Sequence, residues 1–375
     1  MHGERGRHLS NLASVRRAPR PSFDEARCRV TRNARFIDER ITLKYGTGGG
    51  SMRALIEQVF AKGLGDVGDD GIGLAAMDDG AAIRIGDQYL VIATDSHVVQ
   101  PIEFPGGDIG RLAISGTVND LAMMGATEPL ALTCAVIIED GFPRDDLKRI
   151  WESIRATCEE AGTTIVTGDT KVMGHGELDG LVLNTTGVGL TKRLVSDAGL
   201  RAGDKILVTG TMGDHGLAIM ATRNELALET TLESDVAPVH TLVRRALDVG
   251  GEGVVALKDP TRGGLSSALH EMAEKSGVGI ILDETAIPLR EEVRAVGEIL
   301  GIDPLVSANE GKAVFGLRPD CAEAVLDAVR SHPLGRNAAI VGECVSERPG
   351  FVVLDTGFGS RLLAEAEGEL LPRIC

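Results

Sequence analysis

Strand and helix patterns alternate along this sequence in two successive series that meet near residue 195, and this alternation constrains the fold more than any other feature. Runs of β-branched and apolar residues are typical of strands, whereas apolar residues spaced by three or four are typical of helices. Such alternation is typical of sheets covered by helices, so we predict an α/β (α+β) fold with domains at 40–195 and 196–362. The predicted strands are 81–85, 89–94, 131–137, 164–167, 181–190, 205–209, 254–257, 279–282, 313–317 and 339–345. The predicted helices are 52–61, 109–124, 145–161, 217–223, 241–247, 264–275 and 322–329.

The two ends of the chain differ from this pattern. Residues 1–39 are rich in Arg, contain Pro19 and Pro21, and show little apolar periodicity, so we expect a disordered extension. Order is predicted to begin with a strand-like segment at 41–43. Residues 363–375 are predicted to form a flexible tail that ends in Cys375.

Charge and hydropathy exclude several classes of protein. A net charge of −16 argues against an electrostatic surface for nucleic acid or for an anionic membrane. No apolar run approaches 18 residues, and no apolar segment follows Arg16 and Arg17, so we expect neither a transmembrane helix nor a secretory signal. The six cysteines form no Cys-x-x-Cys pair, and Cys134 and Cys158 fit small core residues. We therefore predict a cytoplasmic protein.

A thiol occupies the last position of the chain. Cys375 follows Pro372, which stiffens its approach, and Arg373, which places a fixed positive charge near the sulfur. Extended from about residue 363, the tail would span roughly 40 Å. A swinging thiol of this kind could be loaded at one place and processed at another. The alternative is an ordinary frayed end, and the tail alone does not decide between them.

Five aspartates stand at predicted strand ends or beside glycines. Each alone is typical of a turn or a helix cap. Together they suit Mg²⁺, which binds a few carboxylates and completes its shell with phosphate oxygens and water. Carboxylates that converge would repel one another unless a cation lay among them, so the set predicts a metal–phosphate cleft. The five are Asp79, Asp95, Asp120, Asp169 and Asp259.

Glycine-rich segments could supply the anion-binding side of such a cleft. Segments at 106–110, 210–216 and 263–264 lead into predicted helices, whose N-terminal N–H groups can approach phosphate. Plain helix entry is the alternative for each. The sequence contains no P-loop and no Gly-x-Gly-x-x-Gly after a first strand. Lys171 and Glu310 lie between small neighbours, where either a solvated loop charge or a functional group would fit.

Taken in order, these motifs resemble the AIR synthetase (PurM-like) superfamily, and within it the hydrogenase maturation carbamoyl dehydratases of the HypE family. The resemblance covers about 41–375, and the Pro-Arg-Ile-Cys ending is its most specific element. The segments that carry it are Thr94-Asp95-Ser96, Phe104-Pro105-Gly106-Gly107-Asp108-Ile109-Gly110, Gly116-Thr117-Val118-Asn119-Asp120, Thr167-Gly168-Asp169-Thr170-Lys171, Asp259-Pro260-Thr261-Arg262-Gly263-Gly264, Asn309-Glu310-Gly311-Lys312 and Pro372-Arg373-Ile374-Cys375.

The resemblance implies a PurM-like two-domain fold. Its N-terminal domain binds ATP and dimerises through its sheet, and its C-terminal domain is an α/β sandwich. It also implies a reaction in which Cys375 receives a carbamoyl group from HypF. ATP with Mg²⁺ then activates the carboxamide oxygen, and elimination leaves a thiocyanate. The cyanide passes to the HypC–HypD complex for the iron of [NiFe]-hydrogenase.

The resemblance also assigns residues. Cys375 carries the substrate, Glu310 removes a proton and Lys171 stabilises charge on oxygen, although the last two roles could be exchanged. Two positions depart from the family pattern: Tyr45 before the glycines at 46–50, and His97. Metal ligands are expected at Asp79, Asp95, Asp120, Asp169 and Asp259. Nucleotide contacts are expected at Asp79, Asp95, Gly107, Asp108, Gly116, Thr117, Asn119, Asp120, Asp169, Gly263 and Gly264.

Two other functions stay open at the level of the sequence. One is a PurM-like kinase or synthetase of the selenophosphate or thiamine-phosphate type, acting on a free small molecule. The other is a non-catalytic maturation scaffold. ATP hydrolysis that ignores a Cys375→Ala substitution would favour a free substrate.

Overall fold

The computed structural model describes residues 38–46, 48–65, 67–68, 70–224, 231–365 and 374–375. The predicted disordered extension and most of the predicted tail, at 1–37 and 366–373, lie outside the described residues. Leu363 packs in an apolar core and its N–H donates to Val352 O over 2.9 Å, so residues 363–365 belong to the folded body.

The first half of the described chain forms a five-stranded sheet in the order β1-β2-β7-β5-β6. Only the β5–β6 pair is parallel. In β7, burial alternates residue by residue, so one face of the sheet is packed and the other is open. Its elements are α1 (Gly49–Leu55), β1 (Ala81–Ile85), β2 (Gln88–His97), β3 (Glu103–Phe104), β4 (Gly107–Asp108), α2 (Ile109–Met123), β5 (Pro129–Glu139), α3 (Arg144–Glu160), β6 (Ile165–Met173) and β7 (Leu181–Thr191).

Helix α2 is buried on nearly every side because it packs on the sheet, on α3 and on elements of the second half. Its first turn is capped by Asp108, whose Oδ1 accepts from Gly110 N–H at 2.7 Å and Arg111 N–H at 2.9 Å. The helix approaches β7 closely because Gly187 has no side chain. A Cβ there would lie 2.8 Å from Thr117 Cγ2.

The open face of the first sheet carries apolar side chains. Ile85 is 54% exposed on this face, and Ile83 and Leu190 are also exposed there. This is an apolar sheet face without a neighbour in the described chain.

The second half forms a seven-stranded sheet in the order β14-β13-β10-β12-β8-β11-β9. In β8, Ile206 and Val208 join the core on the α6 side, whereas Leu207 joins the core beneath α5 and α8. Its elements are β8 (Lys205–Val208), α4 (Asp214–Arg223), α5 (His240–Gly250), β9 (Val254–Lys258), α6 (Gly264–Ser276), β10 (Gly279–Asp283), α7 (Glu291–Leu300), β11 (Val314–Leu317), α8 (Ala322–Arg330), β12 (Ala339–Val345), β13 (Val352–Asp355) and β14 (Ser360–Leu362).

Nine of the ten predicted strands and the predicted helices from residue 109 onward are confirmed to within about three residues at each end. The strand predicted at 164–167 is also present but continues to Met173, so Asp169 and Lys171 lie within it. The expected strand at 41–43 is wrong: Leu43–Gly46 is a 3₁₀ turn, closed locally by an ion pair between Lys44 and Asp38. The helix expected at 52–61 is α1 followed by a π-helical turn, Ile56–Phe60. Helix α7, strands β13 and β14 and the β3–β4 hairpin were not predicted. In the part of the chain described here, no helix has both the length and the apolar character needed to cross a membrane.

Candidate active site

A cavity of about 250 Å³ lies between elements of the two halves. It is lined by carboxylates, by cationic side chains and by the last residue of the chain. The ionisable groups lining it are Arg53, Asp78, Asp79, Asp95, His97, Asp120, Lys258, Asp259, Arg262, Glu271, Glu310 and Cys375.

Regular elements place the aspartates at this cavity. Asp95 is near the end of β2, Asp120 is on α2, and Asp259 directly follows β9. Gly116 on α2 lies directly beside the end of β2: a Cβ added to it would be only 2.9 Å from His97 Nε2. That missing side chain lets the helix and the strand end meet at the cavity wall.

A buried lysine offsets part of the negative charge. Lys258 Nζ lies 2.6 Å from Asp79 Oδ1, 3.3 Å from Glu271 Oε2 and 3.5 Å from Asp197 Oδ2. Burial alone would lower the pKa of Lys258, but these carboxylates raise it well above its ordinary value. Lys258 is therefore a permanent cation in the wall of the cavity.

The remaining charge is unbalanced. Burial raises the pKa of Asp120 well above its ordinary value, and the neighbouring Asp95, Asp259 and Asp79 raise it further. Burial also raises the pKa of Asp259 to about 6, against the opposing effect of Lys258. Asp79 Oδ2 is buried and has no hydrogen-bond partner in the described part of the chain. Crowded carboxylates and an orphaned oxygen fit a bound cation.

The donor set fits Mg²⁺ better than a closed protein metal site. Among the described residues, no three His, Cys, Asp or Glu side chains stand close enough to hold an ion by themselves. Mg²⁺ commonly takes one or two carboxylates and completes its shell with water and phosphate oxygens. These residues would therefore hold the ion together with a nucleotide.

The terminal thiol is held neutral in this cavity. Burial raises the pKa of Cys375 to about 12; the nearby Arg262 guanidinium, which shares a hydrogen bond with it, lowers that pKa, while Glu310 and Asp95 raise it. Arg262 Nη2 also lies 3.9 Å from Asp95 Oδ1. At neutral pH the docked sulfur is a thiol and not a nucleophilic thiolate.

Glu310 has the features of a general base. It is 3% exposed, and its Oε1 has no hydrogen-bond partner in the described residues. Burial raises its pKa well above the ordinary value, and Asp259, Asp95 and Asp235 add to the effect. Its main chain is fixed because Glu310 N–H donates to Asp235 Oδ1 over 3.0 Å. A positioned carboxyl with a raised pKa and a free oxygen is suited to accept a proton.

Six residues from the sequence-based predictions meet at the cavity: Cys375, Glu310, Asp79, Asp95, Asp120 and Asp259. His97, the departure from the family pattern, also lines it, with Nε2 3.7 Å from Asp95 Oδ2. Tyr45, the second departure, is buried elsewhere, and its hydroxyl accepts from Asp38 N–H.

Other predicted nucleotide contacts are engaged in structural interactions. Thr117 shares a hydrogen bond of 2.6 Å with Thr185, and Asp108 caps α2. Asn119 is buried and bonded to main-chain groups at 237, 239 and 310. The same holds for the glycines: Gly107 packs against Val236, and Gly263 and Gly264 adopt positive φ angles at the entry to α6. Their roles in nucleotide binding stay predictions.

Asp169 and Lys171 lie away from the cavity. Both are exposed on β6, the edge strand farthest from β1. Lys171 pairs with Ile137 on β5, and Ile137 pairs with Val182 on β7, which adjoins β2. Three strand spacings separate Lys171 from the end of β2, about 14 Å. Asp169 and Lys171 are therefore too far from the cavity of their own chain to act there in this arrangement.

Three cationic residues of the cavity were not predicted. Lys258 and Arg262 flank Asp259 in the sequence Lys-Asp-Pro-Thr-Arg, so the motif contained a signal for both. Arg53 had none, because its environment is set by Glu365, far away in sequence, which it meets at 2.6 Å.

Comparison with known proteins identifies the class. Residues 77–191 match the AIR synthase related protein N-terminal domain, and residues 201–355 match the AIR synthase related protein C-terminal domain. The chain belongs to the AIR synthase related family, whose two domain types cover most of its length.

More similar relatives narrow this class to one group. The chain is 47% identical over 338 residues to the carbamoyl dehydratase HypE of Bradyrhizobium diazoefficiens, covering 89% of this chain and 96% of that one. A chain of a HypE–HypF complex matches with a TM-score of 0.77 and 43% identity, over 84% of this chain and all of that chain. HypE in complex with ATP matches with a TM-score of 0.74 and 42% identity, over 90% of this chain and all of that chain. Within the larger family, this protein is a member of the HypE carbamoyl dehydratases.

Proposed function

We propose that this protein is an ATP-dependent carbamoyl dehydratase that acts on its own C-terminal Cys375 in hydrogenase maturation. The observation that carries the proposal is the placement of Cys375 in one cavity with Glu310, Arg262 and five aspartates. Relatives at 47% identity are named carbamoyl dehydratases, and a similar chain was solved with ATP.

The reaction converts a carboxamide on sulfur, S–C(=O)–NH₂, into a thiocyanate, S–C≡N. ATP transfers its terminal phosphoryl group to the amide oxygen and leaves as ADP. The nitrogen then loses its two protons, and the C–O bond breaks with its electron pair passing to phosphate. Phosphorylation is required because an amide oxygen is a poor leaving group, whereas phosphate is a good one.

The residues of the cavity fit these steps. Glu310 takes a proton from nitrogen, and Arg262 holds the sulfur in place through its contact with Cys375. Asp79, Asp95, Asp120 and Asp259 would hold magnesium, some of them through water and with phosphate oxygens of ATP completing its shell, and the ion would supply positive charge to the phosphate groups. The proposed role of Asp169 in this metal set, and that of Lys171 at the oxygen, require a second copy of the chain.

A homodimer would satisfy that requirement. The open face of the first sheet is apolar, with Ile83, Ile85 and Leu190 exposed on it. Association of two such faces would bury this surface and move β6 of each copy next to its neighbour. Lys171, too far from its own cavity, would then serve the cavity of the partner.

Loading of the tail takes place outside the cavity. Because the pKa of docked Cys375 is raised to about 12, the thiol becomes nucleophilic only when the tail leaves. The proposed carbamoyl donor is HypF, with which a similar HypE chain was solved, and the proposed cyanide acceptor is the HypC–HypD complex. We place the protein in the cytoplasm, because a free carrier thiol requires a reducing compartment.

Intact-mass spectrometry tests the proposal. Protein carbamoylated on Cys375 by HypF should lose the mass of one water when ATP and Mg²⁺ are added. Glu310→Gln should accept the carbamoyl group and keep it, and Cys375→Ala should never acquire it. ATP hydrolysis that is unchanged in Cys375→Ala would favour a free small-molecule substrate. Retention of the carbamoyl group by the wild type would favour a scaffold.

A further inference from the structure

The residue before the terminal cysteine, Ile374, is packed into a buried site of the folded body, which we call the seat of the tail. Ile374 is 6% exposed and joins an apolar cluster that includes Phe104, Ile219 and Val236. Its carbonyl oxygen lies 2.5 Å from His215 Nε2. The chain end is thus held by both its side chain and its main chain one residue before the sulfur.

His215 is oriented for this contact. It lies in the first turn of α4, fully buried, with Nδ1 2.7 Å from Ser234 Oγ. The carbonyl can only accept, so Nε2 carries the proton and donates, and Nδ1 accepts from the Ser234 hydroxyl. Ser234 Oγ in turn accepts from Val236 N–H over 3.1 Å. Each hydrogen bond in this chain has one donor and one acceptor with His215 neutral.

The β3–β4 hairpin holds Ser234 and His215 in place. Ser234 N–H donates to Pro105 O over 2.8 Å, and the Phe104 ring meets His215 edge to face at 5.4 Å. Gly106 has a φ of +92°, and a Cβ there would lie 2.6 Å from Ser234 O. Only glycine permits both the turn and this approach. The Pro-Gly-Gly motif thus supports the seat of the tail.

The same loop also positions Glu310. Asp235, next to Ser234, accepts from Glu310 N–H at 3.0 Å and from Lys312 Nζ at 2.9 Å. Ala237 N–H donates to Glu310 O over 3.3 Å. One loop therefore fixes the seat of the tail on one side and the main chain of the proposed base on the other.

We propose that His215, oriented by Ser234, is a positioning residue that docks the tail through the Ile374 carbonyl and so brings residue 375 into register with Glu310. The inference deepens the proposed function and rests on it, since it concerns delivery of the carrier sulfur. It also assigns a specificity to the penultimate position, which must be an apolar side chain that fills the seat.

Thiol alkylation measures docking without requiring catalysis. In ATP-free protein, His215→Ala should raise the alkylation rate of Cys375 roughly tenfold, because one buried hydrogen bond that holds the tail is lost. His215→Gln retains an N–H donor and should restore most of the protection. Peptide mass spectrometry reports each cysteine separately, and the buried thiols of Cys134 and Cys344 should keep their low rates.

Three further variants, two in the tail and one at Ser234, guard against a folding defect in His215→Ala. Ile374→Ser should expose Cys375 in the same way, whereas the matched Ile374→Val should not. Ser234→Ala should give a smaller rise in the same direction. If Cys134 or Cys344 became reactive in His215→Ala, the alkylation rates of Cys375 in the Ile374 and Ser234 variants would test the docking role instead.

Single-turnover kinetics provide the second measurement. On carbamoylated protein, His215→Ala should slow the loss of water roughly tenfold, while ATP affinity stays at its wild-type value and carbamoyl loading is not slowed. Unchanged Cys375 alkylation in both His215→Ala and Ile374→Ser would overturn the docking role even if dehydration proceeds. Failure of wild-type protein to dehydrate would overturn the proposed function, while the alkylation result still decides docking.

Discussion

The carboxyl of Asp120 lowers the stability of the ligand-free protein at a position that suits a bound cation. Its carboxyl is surrounded by Asp95, Asp259 and Asp79, and its pKa is raised above the ordinary value by burial and by these charges. Below the ordinary range, folded and unfolded chains both hold the proton, so the residue costs nothing. As the pH rises, the unfolded chain releases its proton first, and the stability of the folded state falls.

We therefore expect Asp120→Asn to stabilise the ligand-free protein. The gain should be about 1–2 kcal/mol at pH 8, should shrink toward pH 4, and should appear as a rise of a few degrees in the melting temperature. The same substitution should abolish the stabilisation that ATP with Mg²⁺ gives the wild type. Thermal unfolding at both pH values measures this, with Asp248→Asn on the exposed face of α5 as the control. A lower melting temperature for Asp120→Asn at pH 8 would contradict the charge-crowding argument.

Glu310 should set the acid limb of the reaction. Its pKa is raised by burial and then by Asp259 and Asp95, and the base form exists only above that pKa. The single-turnover rate of carbamoylated protein should therefore rise with pH and reach its plateau well above about pH 4.3, where an ordinary glutamate titrates. Rates between about pH 5 and 9 test this, with ATP binding measured at each pH so that lost binding is not mistaken for lost base. A rate independent of pH down to 5 would remove Glu310 from the role of base.

At the scale of elements, helix α2 shows which features the sequence predicts and which it does not. Its position and length follow from apolar spacing, and Asp108 before it is a readable cap. The hydrogen-bond partners of the buried Asn119 side chain cannot be predicted from the local sequence. Its Nδ2 donates to Ala237 O at 3.1 Å and its Oδ1 accepts from Val239 N–H at 2.7 Å, and these partners lie more than 100 residues away. A motif shared with a family predicts that such a residue matters, but not whether it contacts a ligand or joins two elements.

Replacement of Asn119 distinguishes these two roles. Asn119→Ala leaves buried main-chain groups at 237 and 239 without partners, so we expect a loss of about 2–4 kcal/mol in the free energy of unfolding. Denaturant unfolding measures it, with Asn224→Ala as the matched control. The exposed side chain of Asn224 donates to Met220 O at the end of α4. If Asn119 mainly binds nucleotide, the substitution should instead weaken ATP binding and leave stability near that of the wild type.

At the scale of the whole molecule, the sequence predicts strands and helices well but not the places where distant segments meet. Period-two burial in β7 and the continuous apolar run of β8 are local properties, so those strands were found, whereas short β14 offers only three residues of pattern. The cavity depends on contacts such as that of Arg53 with Glu365, which no local rule reveals. Lys171 is the clearest example. Its motif marks it as functional, yet its place on β6 separates it from the cavity of its own chain.

Complementation between two inactive variants decides where Lys171 acts. If it serves the cavity of the partner copy, Glu310→Gln and Lys171→Ala are each inactive alone. A mixed dimer nevertheless contains one intact site, formed by Glu310 of one chain and Lys171 of the other. Random mixing makes half of the dimers mixed, so dehydration should recover to about a quarter of the wild-type amount per site. The measurement is intact-mass analysis of carbamoylated chains after unfolding, mixing and refolding, with each variant refolded alone as the control. If Lys171 acts within its own chain, every site lacks one of the two groups and mixing restores nothing.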